Sequence, residues 1–164
     1  MKQSAGFILF SDFNGITKFL LLRCYNYWDF AKGHREENET LLETAYRETK
    51  EEANINKEDI VLWHNGSYTT EPYAKPSKTA TYYLGLSLTH KIELLPNPVS
   101  NIIESHEYRW ATYDEAKLLC NERIGKALDW ANNIVVDNLL KSNALFERAK
   151  QLVGDISIDL SETL

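Results

Sequence analysis

Glu48, Glu51 and Glu52 recur at helical spacing, so a helix that carries all three presents them on one face, with side chains roughly 5–6 Å apart at their bases. At an effective dielectric near 20 each close pair costs about 3 kcal/mol of repulsion before solvent screens it. A chain can keep such a cluster as a fully solvated surface or as a seat for a cation. Hard divalent ions of the magnesium type take oxygen ligands and keep positions for water and phosphate. The helix is readable on its own. Thr40-Leu41-Leu42-Glu43 has the form of a capping box, and Leu42, Ala45, Thr49 and Ala53 make a mostly apolar stripe beside the carboxylates. Asn54 follows, one of the few non-glycine residues that tolerate the left-handed conformation at a helix end. One face packs and the adjacent one binds. Upstream, Gly33 to Glu39 is polar and opens on glycine, as expected of a loop that turns tightly and exposes its backbone. Arg47 stands one turn after Glu43, where a surface ion pair of little worth can form.

Taken together, Gly33, Glu39, Arg47-Glu48, Glu51-Glu52 and Ile55, in unbroken register, closely resemble the Nudix hydrolase signature. Thr49 departs from it where an aliphatic residue is usual, placing a hydroxyl on the core side, and Asn54 replaces the glycine that normally ends the helix. The resemblance implies an α/β/α sandwich with a mixed β-sheet. It also implies a Mg²⁺ or Mn²⁺ site built from Glu48, Glu51, Glu52, a carbonyl near Gly33 and Glu104, with Arg47 orienting the carboxylates. The catalytic set is then Arg47, Glu48, Glu51 and Glu104. A metal held there neutralises phosphate and acidifies water, which is chemistry for cleaving a phosphoanhydride. The base comes from the signature carboxylates or from Glu104-Ser105-His106-Glu107-Tyr108-Arg109-Trp110. Glu104 is the preferred candidate and Glu107 its competitor.

The remaining sequence bounds the class. With 164 residues, 43% hydrophobic and 26% charged, the chain reads as one globular domain over 1–164, with 154–164 a loose, acidic tail. A net charge of −6 argues against nonspecific nucleic-acid binding and repels polyphosphate at long range, so local cations must gather the substrate. Cys24 and Cys120 form no short-spaced motif. No secretory or membrane-spanning run is evident, and the expectation is a cytoplasmic monomer. Gly6–Phe10 and Lys18–Leu22 read as a hairpin around Asp12-Phe13-Asn14-Gly15; 60–63, 66–70, 79–88 and 108–111 read as further strands. Thr112-Tyr113-Asp114-Glu115 caps a helix to about Cys120, and apolar periodicity marks a longer helix from about Ile124, which Leu145, Ala149 and Leu152 could extend towards a partner.

Substrate choice lies outside the signature. Trp28 to His34, Lys75 to Leu84 and Glu104 to Trp110 resemble the asymmetric diadenosine tetraphosphate hydrolases of the Nudix family, although Phe30-Ala31 stands where two prolines are usual. The resemblance implies hydrolysis to ATP and AMP, with Tyr73 identifying the subfamily and Tyr82 stacking on adenine. A flat ring offers about 1–3 kcal/mol of stacking. Lys32, His34, Lys75 and Lys78 would form a positive rim for a long anionic chain, Lys78 foremost. Competing readings are pyrophosphate removal from a 5′-triphosphate RNA end, the one nucleic-acid partner considered, and a catalytically silent nucleotide-binding module.

Overall fold

The computed structural model describes residues 1–162. Its spine is β1 (Lys2–Phe13), buried from Ser4 to Ser11. The apolar Ala5 to Phe10 is a near-continuous run, as a strand covered on both faces requires. Along one edge β1 runs parallel to β6 (Lys78–Ser87). Along the other it forms the expected hairpin with β2 (Ile16–Cys24). Asn14 and Gly15 take positive φ at that turn, and Asp12 Oδ1 accepts the Gly15 amide at 3.0 Å.

The hairpin strands pair only from Phe10↔Phe19 to Phe13↔Ile16 and then part. Beyond that point Ser4 to Gly6 of β1 pair with β4 (Lys32–His34), while β2 takes β7 (Glu107–Ala111) and β3 (Tyr27–Asp29). This divergence opens the cleft described below. β5 (Ile60–Thr69) pairs antiparallel with β6, giving a mixed sheet of seven strands among the described residues. The expected strands 60–63 and 66–70 are this single strand, interrupted by an irregularity between Leu62 and Ser67. β3 and β4, three residues each, are too short to show alternation in sequence.

Helices flank the sheet, so the expected α/β/α sandwich is what the chain forms. α1 (Leu41–Ala53) packs over β1 and β4. Thr40 Oγ1 accepts the Glu43 amide, but Glu43 takes the Thr40 hydroxyl rather than its backbone amide, so only half of the expected capping box forms. Asn54 ends α1 at φ 54°, ψ 41°, the left-handed cap expected of it. Thr44, Ala45, Thr49 and Ala53 are buried; Leu42 is only partly so. Thr112 makes a complete capping box with Glu115 at the start of α2 (Tyr113–Leu119).

α3 (Glu122–Glu162) begins by burying Ile124, Ala127, Leu128 and Ala131. The chain divides into two compact units, 1–131 and 132–164. The second is the continuation of α3, which exposes Leu140, Leu145 and Phe146. Of the tail expected over 154–164, the helix accounts for residues to Glu162; 163 and 164 lie outside the described residues. Among the described residues no helix is long and apolar enough to cross a membrane.

Candidate active site

Arg47 organises the carboxylates. Its guanidinium forks onto Glu39, Nε to Oε2 at 3.1 Å and Nη2 to Oε1 at 2.7 Å. The same Nη2 donates to the His34 carbonyl at 2.8 Å, and Nη1 reaches Glu48 Oε1 at 2.8 Å and Glu51 Oε2 at 3.3 Å. Glu43, the alternative partner one turn back, is not among its contacts. Glu39 also accepts from the buried Thr44 hydroxyl at 2.7 Å and the Glu36 amide at 2.9 Å. The Arg47 hydrogen bonds hold its carboxyl at about 2, well below its usual 4.5, against the effect of burial. Arg47 is raised, first by Glu39. One planar fork thus fixes the loop ahead of α1 and two signature carboxylates on it.

Gly33 lies within β4 opposite Ala5, without positive φ, so the expected tight loop turn is not the reason for glycine here. A Cβ at Gly33 would overlap the Glu48 carboxylate, so the glycine exists to let that side chain lie against the strand. Glu48 and Glu52 are both pushed up, first by burial; Glu51 then acts on Glu48, Glu48 on Glu52, and Glu104 on both. Anions opposed by burial and by each other favour a compensating cation.

Glu48, Glu51, Glu52 and Glu104, with Asn97, Pro98 and Ser105, enclose a space of ≈ 10 Å³, about the volume of one water-sized sphere. Carboxylate oxygens around an ion-sized space, one of them seated where a Cβ at Gly33 would stand, fit a small divalent ion. Among the described residues no group of three His, Cys, Asp or Glu side chains is already arranged to hold a metal. Arg47 holds Glu48 and Glu51, so binding requires these flexible side chains to turn towards the ion.

Glu104, exposed on the loop before β7, lines this space and is steadied by Asn97 Nδ2 at 3.1 Å. Its competitor Glu107 is tied to Arg23 at 2.9 Å and Arg109 at 3.2 Å and lines none of the described cavities, so the structure separates the two.

Two larger cavities extend from the cluster and share Lys32, Glu52 and Glu104 along their walls. One, ≈ 260 Å³, runs over Gly33, His34, Arg47, Glu48 and Glu51. The other, ≈ 360 Å³, enters the cleft where β1 and β2 part and reaches Tyr27, Asp29, Tyr73, Lys78 and Arg123. Lys32 pairs with Asp29 at 3.2 Å, which keeps its ammonium charged despite burial. His34 lines the first cavity and meets Ser4 Oγ at 3.2 Å. Burial and the nearby lysines lower its pKa, so it does not add the expected positive charge at neutral pH.

Lys75 is exposed and lines neither cavity, so the structure does not bring it together with the other expected rim cations. Tyr82 is the clearest correction. Its ring is 0% exposed, sits edge-on to Phe30, and its hydroxyl donates to Asp29 Oδ1 at 2.8 Å. It braces the wall from inside and cannot stack on a base. Tyr27, 68% exposed on the second cavity, is the accessible ring there.

Two residues of this chamber escaped the sequence reading. Asp29 is the hub of the wall, accepting from Tyr82, the Phe30 amide (2.6 Å) and Lys32. Its signal was a charge inside the apolar Trp28-Asp29-Phe30 run. Arg123 stands in the first turn of α3, where the helix dipole disfavours a cation. That anomaly was its signal.

This arrangement of a mixed sheet, a carboxylate helix and an adjoining cationic chamber is one of a phosphoanhydride hydrolase. Residues 2–131 match the NUDIX domain model. An asymmetrical bis(5′-nucleosyl)-tetraphosphatase from Sus scrofa is 32% identical over 121 residues, covering 70% of this chain and 78% of that protein. The enzyme of the same description from Caenorhabditis elegans is 29% identical over 117 residues, 70% and 81% of the two chains. The crystal structure of a C. elegans Ap4A hydrolase binary complex superposes with a TM-score of 0.74 at 26% identity, covering 84% of this chain and 99% of that one. The chain belongs to the Nudix family of pyrophosphohydrolases.

Proposed function

We propose that this chain hydrolyses dinucleoside tetraphosphates asymmetrically, diadenosine tetraphosphate to ATP and AMP, with Mg²⁺ or Mn²⁺. The observation that carries this reading is the pair of adjoining cavities, ≈ 260 and ≈ 360 Å³, that share Lys32, Glu52 and Glu104. Together they offer a polar track longer than one diphosphate needs, with an exposed ring, Tyr27, at its far side. The similarity to two asymmetrical tetraphosphatases supports it.

Glu48, Glu51 and Glu52 with the Gly33 carbonyl are the residues that would hold the divalent ion, which when bound supplies charge neutralisation at the diphosphate and a more acidic water. The protein's own groups do the rest. Arg47 bridges Glu48 and Glu51 and offsets the repulsion between their carboxylates. Glu104 accepts the proton of the attacking water, which adds across an outer anhydride; the two products carry the original phosphates and one added water. Lys32 and Lys78 hold the remaining chain, and Tyr27 takes the stacking role that the buried Tyr82 cannot fill.

Anion-exchange chromatography of a limited digest tests this directly. Equimolar ATP and AMP are expected, while paired ADP, or preference for a 5′-triphosphate RNA end when both substrates compete, would overturn it. The net charge of −6 disfavours the RNA.

A further inference from the structure

Arg123 is a cation with no anion. Its guanidinium lies 3.8 Å from the Tyr73 ring centroid, and its Nη1 is buried without a hydrogen-bond partner. Tyr73 itself carries a buried, unpartnered hydroxyl, and Lys78 Nζ stands 5.2 Å from the same ring. Among the described residues neither Arg123 nor Lys78 forms an ion pair. The neighbour of Arg123 in sequence, Glu122, pairs instead with Lys126 at 3.7 Å. Leaving a buried donor unmade is costly, more so for a charged one, and the first turn of α3 adds an unfavourable dipole.

The guanidinium is stacked on Tyr73, and Arg123 forms part of the cleft wall. Arg123 lines both the ≈ 360 Å³ cavity that begins at Glu52 and Glu104 and a neighbouring one of ≈ 270 Å³ lined by Tyr68, Pro72 and Tyr73. Glu52 and Glu104 thus share the larger cavity with the unpaired cations Lys78 and Arg123; Asp29 on its wall is taken by Lys32, and of the acids on the smaller one, Glu71 and Glu122, neither forms an ion pair with Arg123. After burial, the largest influences depressing Lys78 are the charges of Lys32 and Arg123, which outweigh the opposing Asp29 carboxylate, as expected where cations converge.

We propose that Arg123, stacked on Tyr73, binds the phosphoryl group of the substrate farthest from the carboxylate cluster and so selects for long polyphosphate chains. The inference rests on the reading of this protein as a polyphosphate hydrolase but is tested apart from turnover. The full chain, with Mg²⁺, is titrated calorimetrically with inorganic pyrophosphate and with inorganic tetrapolyphosphate. Arg123→Ala weakens tetrapolyphosphate about 10–100-fold, pyrophosphate less than about twofold, and Arg123→Lys recovers part of the loss because it restores charge without the fork. If Arg123→Ala does not fold, Arg123→Gln, which keeps a neutral donor at similar volume, gives the same comparison. Equal weakening of both anions, or none of either, overturns the proposal. Should the chain-length effect appear while dinucleoside tetraphosphate yields no ATP and AMP, the substrate assignment fails and the role of Arg123 stands.

Discussion

The carboxylate cradle and the cationic chamber adjoin, yet they handle charge in opposite ways. In the cradle one internal cation serves several anions: Arg47 is shared among Glu39, Glu48 and Glu51 at 2.7–3.3 Å, while among the described residues Glu52 forms no ion pair. In the chamber Lys78 and Arg123 are left without acceptors. A cradle braced by one guanidinium holds its carboxylates near one another ahead of ion binding, which is what a reacting centre needs. A chamber left unsatisfied keeps binding free energy for the ligand. The sharpest break between the two is kinetic. Gly33→Ala drives a methyl into the Glu48 carboxylate and should lower kcat about 100-fold with little change in KM. Lys78→Ala should raise KM about 10-fold with kcat nearly unchanged. Steady-state kinetics on both variants checks the division, and similar losses in both parameters for both variants would erase it.

Stability against pH probes the same contrast at smaller scale. The Glu39 carboxyl is held at about 2 instead of 4.5, so its contribution is fully present above 4.5 and disappears as pH falls towards 2. Solvent at the cluster's edge screens part of that shift. Glu39→Gln should therefore be less stable than the parent by about 1 kcal/mol at pH 7, and the gap should close between pH 4.5 and 2. Lys78→Ala, removing a cation that pairs with nothing, should stay within about 0.5 kcal/mol of the parent. Urea unfolding across pH 2–7 measures both. A gap for Glu39→Gln that is constant with pH would mean that the carboxylate supplies packing rather than charge.

The same contrast explains how much could be read from sequence. Gly33 to Ile55 was legible because its interactions are local. Helical spacing sets the carboxylates, Thr40 and Asn54 mark the ends, and Arg47 finds its partners within a few residues or across one short strand. The chamber was legible only in part, because it is built from β3, the β5–β6 loop, β6 and α3, which meet only through tertiary packing. Tyr82 and Tyr83 show the limit. Alternation puts neighbours on opposite faces, but β6 lies inside the sheet with cover on both, so pattern alone could not say which ring meets substrate. Neither ring lines the chamber: Tyr82 is fully buried, and Tyr83 packs 6.1 Å from Phe7. Arg123 was missed because nothing in a helical period marks a cation that gains its role by stacking on a ring fifty residues away.

Thr49 is where the cradle falls short of its own rule. It is fully buried on the packed side of α1, one residue after Glu48, and its hydroxyl has no hydrogen-bond partner. The departure from an aliphatic residue noted in sequence is thus an unsatisfied polar atom in the core. Thr49→Val keeps the shape, removes the orphan and should stabilise the protein by about 0.5–1 kcal/mol, read as a higher urea midpoint at unchanged slope. Because the cradle's geometry is set by Arg47 and Gly33 rather than by this hydroxyl, kcat should not move. If stability rises but kcat falls, the loose packing under Glu48 is itself part of how the carboxylates turn towards an ion, and the cradle is less rigid than its hydrogen bonds imply.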